Sequence, residues 1–122
     1  MRKKPLRSLR KRRDFELVFK NGVALGSQYL VIYARPNGLS FNRLGLSVGK
    51  KIGKAVTRNR IKRLLKEALK RVLEEISLNY DFVIVAKKSS ADRELDDFVQ
   101  DIKRFFSKLL NEKDSDLTCR AL

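Results

Sequence analysis

Apolar residues recur at helical spacing in three stretches of the chain. In the first, Phe15, Val18 and Phe19 lie at positions i, i+3 and i+4. This spacing predicts a short helix over Asp14–Lys20, before the stop signal at Asn21–Gly22. The second stretch predicts a long amphipathic helix whose apolar positions are Ile61, Leu64, Leu65, Ala68, Leu69, Val72 and Ile76. The third predicts a final helix, with apolar positions Leu95, Phe98, Val99, Ile102, Phe106 and Leu109.

The segments between these helices have the pattern of β-strands. The predicted strands, rich in β-branched and aromatic residues, are Val23–Gly26, Tyr29–Tyr33, Leu44–Val48 and Tyr80–Ala86. The turn signal at Pro36–Gly38 predicts a hairpin between the second and third strands. The fourth strand is mostly apolar and is therefore expected at the centre of the sheet, where both faces are covered.

The resulting order, αβββαβα, predicts a single α+β domain in which helices pack on a mixed four-stranded sheet. A length of 122 residues suffices for one domain with a modest core. The hydrophobic content of 43% is that of a folded chain and not of a disordered basic tail.

The net charge points to a polyanionic partner. The chain has 29 Lys and Arg residues against 14 Asp and Glu residues, a formal charge of +15. Such an excess on a folded surface destabilises the protein by self-repulsion, and binding a polyanion relieves it. Nucleic acid is the first candidate for that partner and an anionic membrane surface the second. A membrane role is the weaker one, because the apolar stripe of the basic helix is needed for the core.

Missing residue types narrow the chemistry. The chain has no His, which removes the commonest general acid or base and metal ligand. Its single thiol, Cys119, has no partner for a disulfide or a cysteine zinc site. No catalytic side chain and no protein metal site are predicted. Neither a signal peptide nor a membrane span is recognised, so a cytoplasmic location is expected.

Charge also divides the chain into segments. Residues 1–13 contain eight basic side chains and no acid, which predicts a flexible basic arm that binds nucleic acid or only aids solubility. The domain is expected over 14–110, followed by a polar tail over 111–122. Between Lys50 and Arg71 there are ten basic residues and a single acid, Glu67. Solvated helix faces usually alternate Glu with Lys, so this imbalance favours an anion-binding face. Arg60 is expected on that face, away from the apolar stripe, whereas Arg58 falls near the edge of the stripe, at the first turn of the helix.

The run from Gly45 to Arg63 resembles the Arg-Asn-Arg signature of the bacterial ribonuclease P protein component. The basic arm, Asp14–Phe15 and the aromatic strand ending at Tyr33 extend the resemblance. It implies a fold like the second domain of ribosomal protein S5, with a left-handed βαβ crossover. It also implies the protein subunit of a ribonucleoprotein endonuclease that removes the 5′ leader from precursor tRNA. In that family the RNA subunit is the catalyst and holds most of the required Mg²⁺.

The resemblance assigns two surfaces. The residues of the first surface, which would face the ribonuclease P RNA, are Lys50, Lys51, Lys54, Arg58, Asn59, Arg60, Lys62, Arg63 and Lys66. The residues of the second surface, a cleft for the single-stranded leader, would be Phe15, Phe19, Tyr33, Lys87 and Lys88. No further protein partner is implied.

Several alternatives stay open from the residues alone. Phe15 and Phe19 have the spacing of core residues as much as of a binding site. Tyr29 is expected on the same face as Tyr33 and is an alternative exposed ring. A ribosomal or nucleoid protein that coats nucleic acid is compatible with the composition, although the Arg-Asn-Arg run argues against it. The acids Asp92, Glu94, Asp96, Asp97 and Asp101 are candidates for a two-metal nuclease site, although a solvated acidic face is favoured at the start of a helix.

Overall fold

The elements follow one another in the order βαβββαβα in the computed structural model, which describes residues 6–76 and 79–120, with side chains as far as residue 110. The strands are β1 (Leu6–Ser8), β2 (Val23–Gly26), β3 (Leu30–Pro36), β4 (Asn42–Ser47) and β5 (Tyr80–Ala86). The helices are α1 (Arg12–Asn21), α2 (Ala55–Leu73) and α3 (Leu95–Arg120). Short 3₁₀ turns lie at Lys50–Ile52 and Lys88–Ser90.

The strands form one mixed sheet in the order β1-β4-β5-β3-β2. β5 is central, as predicted, and runs parallel to β4 and antiparallel to β3. The sheet has five strands where four were predicted. The additional strand, β1, lies in the segment predicted as a flexible arm and pairs with β4. Its three residues are too few to show a period-two pattern in the sequence.

The predicted hairpin between β3 and β4 is wrong. The two strands follow one another in the chain, but β5 inserts between them and pairs with both. α2 connects β4 to β5, as a crossover between parallel neighbours requires. The left-handedness implied for this crossover stays a prediction. The turn residues after Pro36 therefore connect β3 to a strand two positions away in the sheet and not to its neighbour.

Different helices cover the two faces of the sheet. α2 and α3 pack on one face, where Ile32, Phe82 and Ile84 are buried in the larger of two cores. α1 packs on the opposite face, where Val18 and Val83 are both 0% exposed. This second core is small because a single short helix covers this face. Part of the sheet beside α1 therefore stays accessible to solvent.

The helices are longer than their apolar patterns predict. α1 begins at Arg12 and Asp14 lies within its first turn, so Asp14 does not cap the helix. α2 begins at Ala55, ahead of the first apolar position used to predict it, because its first turn contains no buried apolar residue. It ends at Leu73, so Ile76, predicted as its last apolar position, lies beyond the helix. α3 continues to Arg120, where the pattern predicted an end near Leu110. Across the described residues, no helix has the length and apolar content needed to cross a membrane.

Candidate nucleic-acid interface

Two rows of residues run across the strands on the α1 side of the sheet. The row next to α1 consists of Ala24, Tyr33, Val83 and Gly45. The second row, about 7 Å further along the strands, consists of Gly26, Val31, Val85 and Ser47. All four residues of the second row are exposed or half-buried, and all are small or apolar. They form the floor of an open groove beside α1, which we call the cleft.

Three aromatic rings line the α1 side of the cleft. Phe19 and Tyr33 meet edge to face with ring centroids 4.7 Å apart, and Phe15 lies 6.4 Å from Phe19. Phe15 is half-buried against Gly45, where an added Cβ would collide with its ring. Phe19, in contrast, is 44% exposed. The three rings predicted for leader binding are therefore adjacent, with Phe15 as their support and Phe19 as the most accessible.

Tyr29 does not belong to this cluster. The chain turns at Ser27 before β3 begins, so strand alternation does not extend back from Tyr33 to Tyr29. Tyr29 packs against the larger core, and the guanidinium of Arg93 lies 5.3 Å from the centre of its ring. The expectation that Tyr29 and Tyr33 share a face was wrong.

Lys87 lies at the far end of the cleft. It continues the alternation of Val85 on β5, and its Nζ lies 3.9 Å from a Cβ built on Gly26. The ammonium donates a hydrogen bond of 2.5 Å to the Ser27 carbonyl. Among residues 6–76 and 79–110 no carboxylate forms an ion pair with Lys87, so its charge is not neutralised by them. Lys88 is also exposed, in the 3₁₀ turn that follows.

The residues predicted to face RNA on α2 and on the loop before it divide into two groups. Seven are exposed, namely Lys50, Lys51, Lys54, Asn59, Lys62, Arg63 and Lys66. The other two, Arg58 and Arg60, are half-buried. The first turn of α2 contains no acid, so the partial positive charge of the helix N-terminus adds to that of the lysines. The exposed group forms the surface that we call the basic face.

Arg58 and Arg60 form hydrogen bonds within the protein. Arg58 donates from Nε to the Gly53 carbonyl at 3.1 Å, which ties the preceding lysine loop to α2. Gly53 has a φ of 151°, a conformation that favours glycine. Arg60 donates to the Arg93 carbonyl at 3.0 Å and to Glu94 at 3.2 Å. The prediction that Arg60 lies on the exposed arc of the helix was wrong, because its side chain lies where α2 meets the start of α3.

A buried ion pair connects α1 to strands β4 and β5 on the α1 side of the sheet. Asp81 is 0% exposed and accepts hydrogen bonds from Arg43 at 2.7 and 2.6 Å and from Asn37 at 2.9 Å. Arg43 also reaches Asp14 of α1 at 3.4 Å. The hydrogen bond to Asp81 is the main cause that raises the pKa of Arg43. Sequence analysis missed this pair, although a single acid in an otherwise apolar strand is a signal for it.

The acidic residues around the start of α3 do not form a common site. Asp92 pairs with Arg93 at 3.2 Å, and this hydrogen bond lowers the pKa of Asp92 and raises that of Arg93. Asp101 is only 5% exposed and accepts a hydrogen bond from Ser27, so its placement on a solvated face was wrong. Within the described part of the chain, no three His, Cys, Asp or Glu residues converge to hold a metal ion.

Known proteins resemble this chain over most of its length. A family model described as Ribonuclease P matches residues 3–110. A ribonuclease P protein component of Clostridioides difficile is 42% identical over 103 residues, which cover 84% of this chain and 90% of the relative. Its counterpart in Caldanaerobacter subterraneus subsp. tengcongensis is 40% identical over 116 residues, covering 93% and 99%. The chain belongs to the ribonuclease P protein family.

Solved structures of ribonuclease P proteins share this fold. The Staphylococcus aureus protein superimposes with a TM-score of 0.73 at 28% identity, covering 84% of this chain and 94% of that protein. The Thermotoga maritima protein gives a TM-score of 0.71 at 33% identity, covering 80% and 93%. The resemblance to the family and the α+β fold are thus confirmed. The roles of individual residues of the cleft and of the basic face stay predictions.

Proposed function

We propose that this chain binds the RNA subunit of ribonuclease P and the 5′ leader of precursor tRNA, and so promotes endonucleolytic removal of the leader. The observation that carries the leader assignment is the cleft itself. The exposed ring of Phe19 lies at one end of the floor, and Lys87 lies at the other end. Among residues 6–76 and 79–110, no carboxylate pairs with this lysine. This combination fits a single strand, which presents both bases and phosphates.

The cleft supports binding without sequence selection. Every base has an aromatic face that stacks on a ring such as Phe19, and this stacking is worth about 1–3 kcal/mol per base. Three of the four floor residues, Gly26, Val31 and Val85, bring no side-chain hydrogen-bonding group, and the hydroxyl of Ser47 both donates and accepts, so it does not select one base. Tolerance of many leader sequences is what a subunit that serves many precursor tRNAs requires.

The basic face supports binding to the RNA subunit. Lys50, Lys51, Lys54, Lys62 and Lys66 offer point charges to phosphates, and Arg63 adds a guanidinium suited to bidentate contacts. Asn59 is exposed among them and can contact a base or a phosphate. Arg58 and Arg60 act mainly by holding the lysine loop and the start of α3 in place, because their hydrogen bonds are made inside the protein.

The RNA subunit, and not this chain, would carry out the cleavage of the leader. In the part of the chain that the structure describes, the acids are dispersed and do not form a set of ligands for a magnesium ion. In the holoenzyme, Mg²⁺ bound mainly by the RNA subunit would supply the activation of water. The protein would bring leader and catalytic RNA together, which favours precursor over product, because the product has no leader.

Reconstitution tests this function. The purified protein is mixed with a bacterial ribonuclease P RNA at low Mg²⁺, and release of the 5′ leader from precursor tRNA is followed, with protein alone and RNA alone as controls. We expect cleavage by the mixture and none by the protein alone. Cleavage by the protein alone would contradict the proposal, and so would a failure of the protein to stimulate several such RNAs.

A further inference from the structure

A chain of hydrogen bonds connects the far side of the sheet to Lys87 at the end of the cleft. Asp101 belongs to α3, which packs on the face opposite α1, and its carboxylate lies 2.5 Å from the Ser27 hydroxyl. The Ser27 carbonyl in turn lies 2.5 Å from the Lys87 ammonium. One residue of the β2–β3 turn thus bonds to an acid on one side of the sheet and to a lysine on the other.

The hydroxyl of Ser27 organises the turn around it. It carries a single proton, and the shorter of its two contacts as a donor is the one to Asp101. Its oxygen then accepts the N–H groups of Tyr29 at 3.3 Å and Leu30 at 3.1 Å. These bonds fix the backbone of the turn and, with it, the direction of the Ser27 carbonyl.

Asp101 is a buried carboxylate whose shortest hydrogen bond comes from outside its own helix. Its side chain is 4% exposed, and besides the contact to Ser27 it pairs with Arg104 at 3.5 Å, whose side chain is 64% exposed. Burying a carboxylate is costly unless hydrogen bonds compensate. The contact to Ser27 is the shorter and more enclosed of the two, so Asp101 is directed at the turn.

We propose that Asp101 and Ser27 are positioning residues that hold the Lys87 ammonium over the floor of the cleft, where it binds a phosphate of the leader. An ammonium has three donors, and the Ser27 carbonyl takes one of them, which leaves two for phosphate oxygens. Fixing a flexible lysine in advance reduces the entropy that is lost on binding. The inference rests on the proposed leader binding.

The test compares Kd values of the reconstituted holoenzyme for precursor tRNA and for tRNA without a leader. We call the Kd for tRNA without a leader divided by the Kd for precursor tRNA the leader gain. We expect Lys87→Ala to reduce the leader gain about tenfold. Ser27→Ala and Asp101→Ala should each reduce it about two- to tenfold, while binding of tRNA without a leader stays constant. Asp96→Ala is the matched control, since it removes an exposed acid from the same helix and makes the same change in net charge.

Two further variants separate positioning from a general loss of structure. Ser27→Thr keeps the hydroxyl and should restore the leader gain. Ser27→Ala combined with Lys87→Ala should lose no more than Lys87→Ala alone, because both changes act on one contact. Thermal unfolding establishes that each variant is folded.

The outcomes distinguish the two proposals. If Lys87→Ala reduces the leader gain while Ser27→Ala and Asp101→Ala leave it intact, the positioning role is refuted and leader binding stands. Equal weakening of both ligands by Ser27→Ala would also refute the positioning role. If Lys87→Ala and Phe19→Ala both leave the leader gain unchanged, leader binding in the cleft is refuted, and the positioning role with it.

Discussion

Replacing Phe19 by Ala is the most direct test of the cleft. The Phe19 ring is 44% exposed and touches Tyr33 edge to face at 4.7 Å. Losing that ring pair should lower the free energy of unfolding by about 0.5–1.5 kcal/mol. Losing a stacking platform should cost about 1–3 kcal/mol per base in leader binding, which corresponds to a Kd about 5- to 150-fold higher.

Fluorescence titration of the reconstituted holoenzyme measures this effect. Kd is determined for precursor tRNA and for tRNA without a leader, and only the first should rise. Val23→Ala is the matched control because Val23 is 42% exposed but pairs with Ala34, whose side chain faces the larger core. An equal loss for both RNAs would show that Phe19 supports the fold and not the leader. An unchanged Kd for precursor tRNA would refute the stacking argument.

Four further substitutions test the surroundings of the two surfaces. Arg60→Ala should lower the free energy of unfolding by about 1 kcal/mol, through its lost bonds to the start of α3, and leave the salt dependence of RNA affinity unchanged. Lys62→Ala should leave the free energy of unfolding unchanged and reduce the slope of log Kd against log salt by about 0.7–0.9 for one phosphate contact. Identical slopes for the Arg60 and Lys62 variants would contradict this assignment. Asp81→Ala removes the buried partner of an arginine and should cost about 3–5 kcal/mol in urea denaturation, whereas a loss below about 1 kcal/mol would argue against a buried pair. Gly45→Val forces a side chain into the Phe15 ring and should cost about 1–3 kcal/mol as well as reducing the leader gain; an unchanged melting temperature would contradict the packing.

Local patterns predicted most of the elements of the fold. The bounds of β2 and β5 agree with those predicted, because each is a short apolar run between turn signals. The apolar stripe of α2 was predicted correctly from Ile61 to Val72, because its buried positions repeat at helical spacing over several turns. β1 was missed because three residues carry no period, and it is defined only by its pairing with β4.

For the cleft and the basic face, the sequence indicated which residues matter but not which residues they contact. Residue types alone indicated a basic helix, and family resemblance indicated the aromatic cluster. The sequence could not reveal that Arg60 bonds to the Arg93 carbonyl, since a helical wheel gives a direction and not a neighbour. Nor could it reveal that Asp101 contacts Ser27, which lies 74 positions earlier in the chain.

The sequence by itself indicated a polyanionic partner and most of the secondary structure. Both depend on local quantities, namely the excess of 29 basic over 14 acidic residues and the period of the apolar positions. Only the tertiary structure decided which strands are neighbours and which side chains share a face. β5 separates β3 from β4, and this insertion aligns Gly26, Val31, Val85 and Ser47 in one row. Such a row has no counterpart in the linear pattern, because strand pairing joins residues that are far apart in the chain.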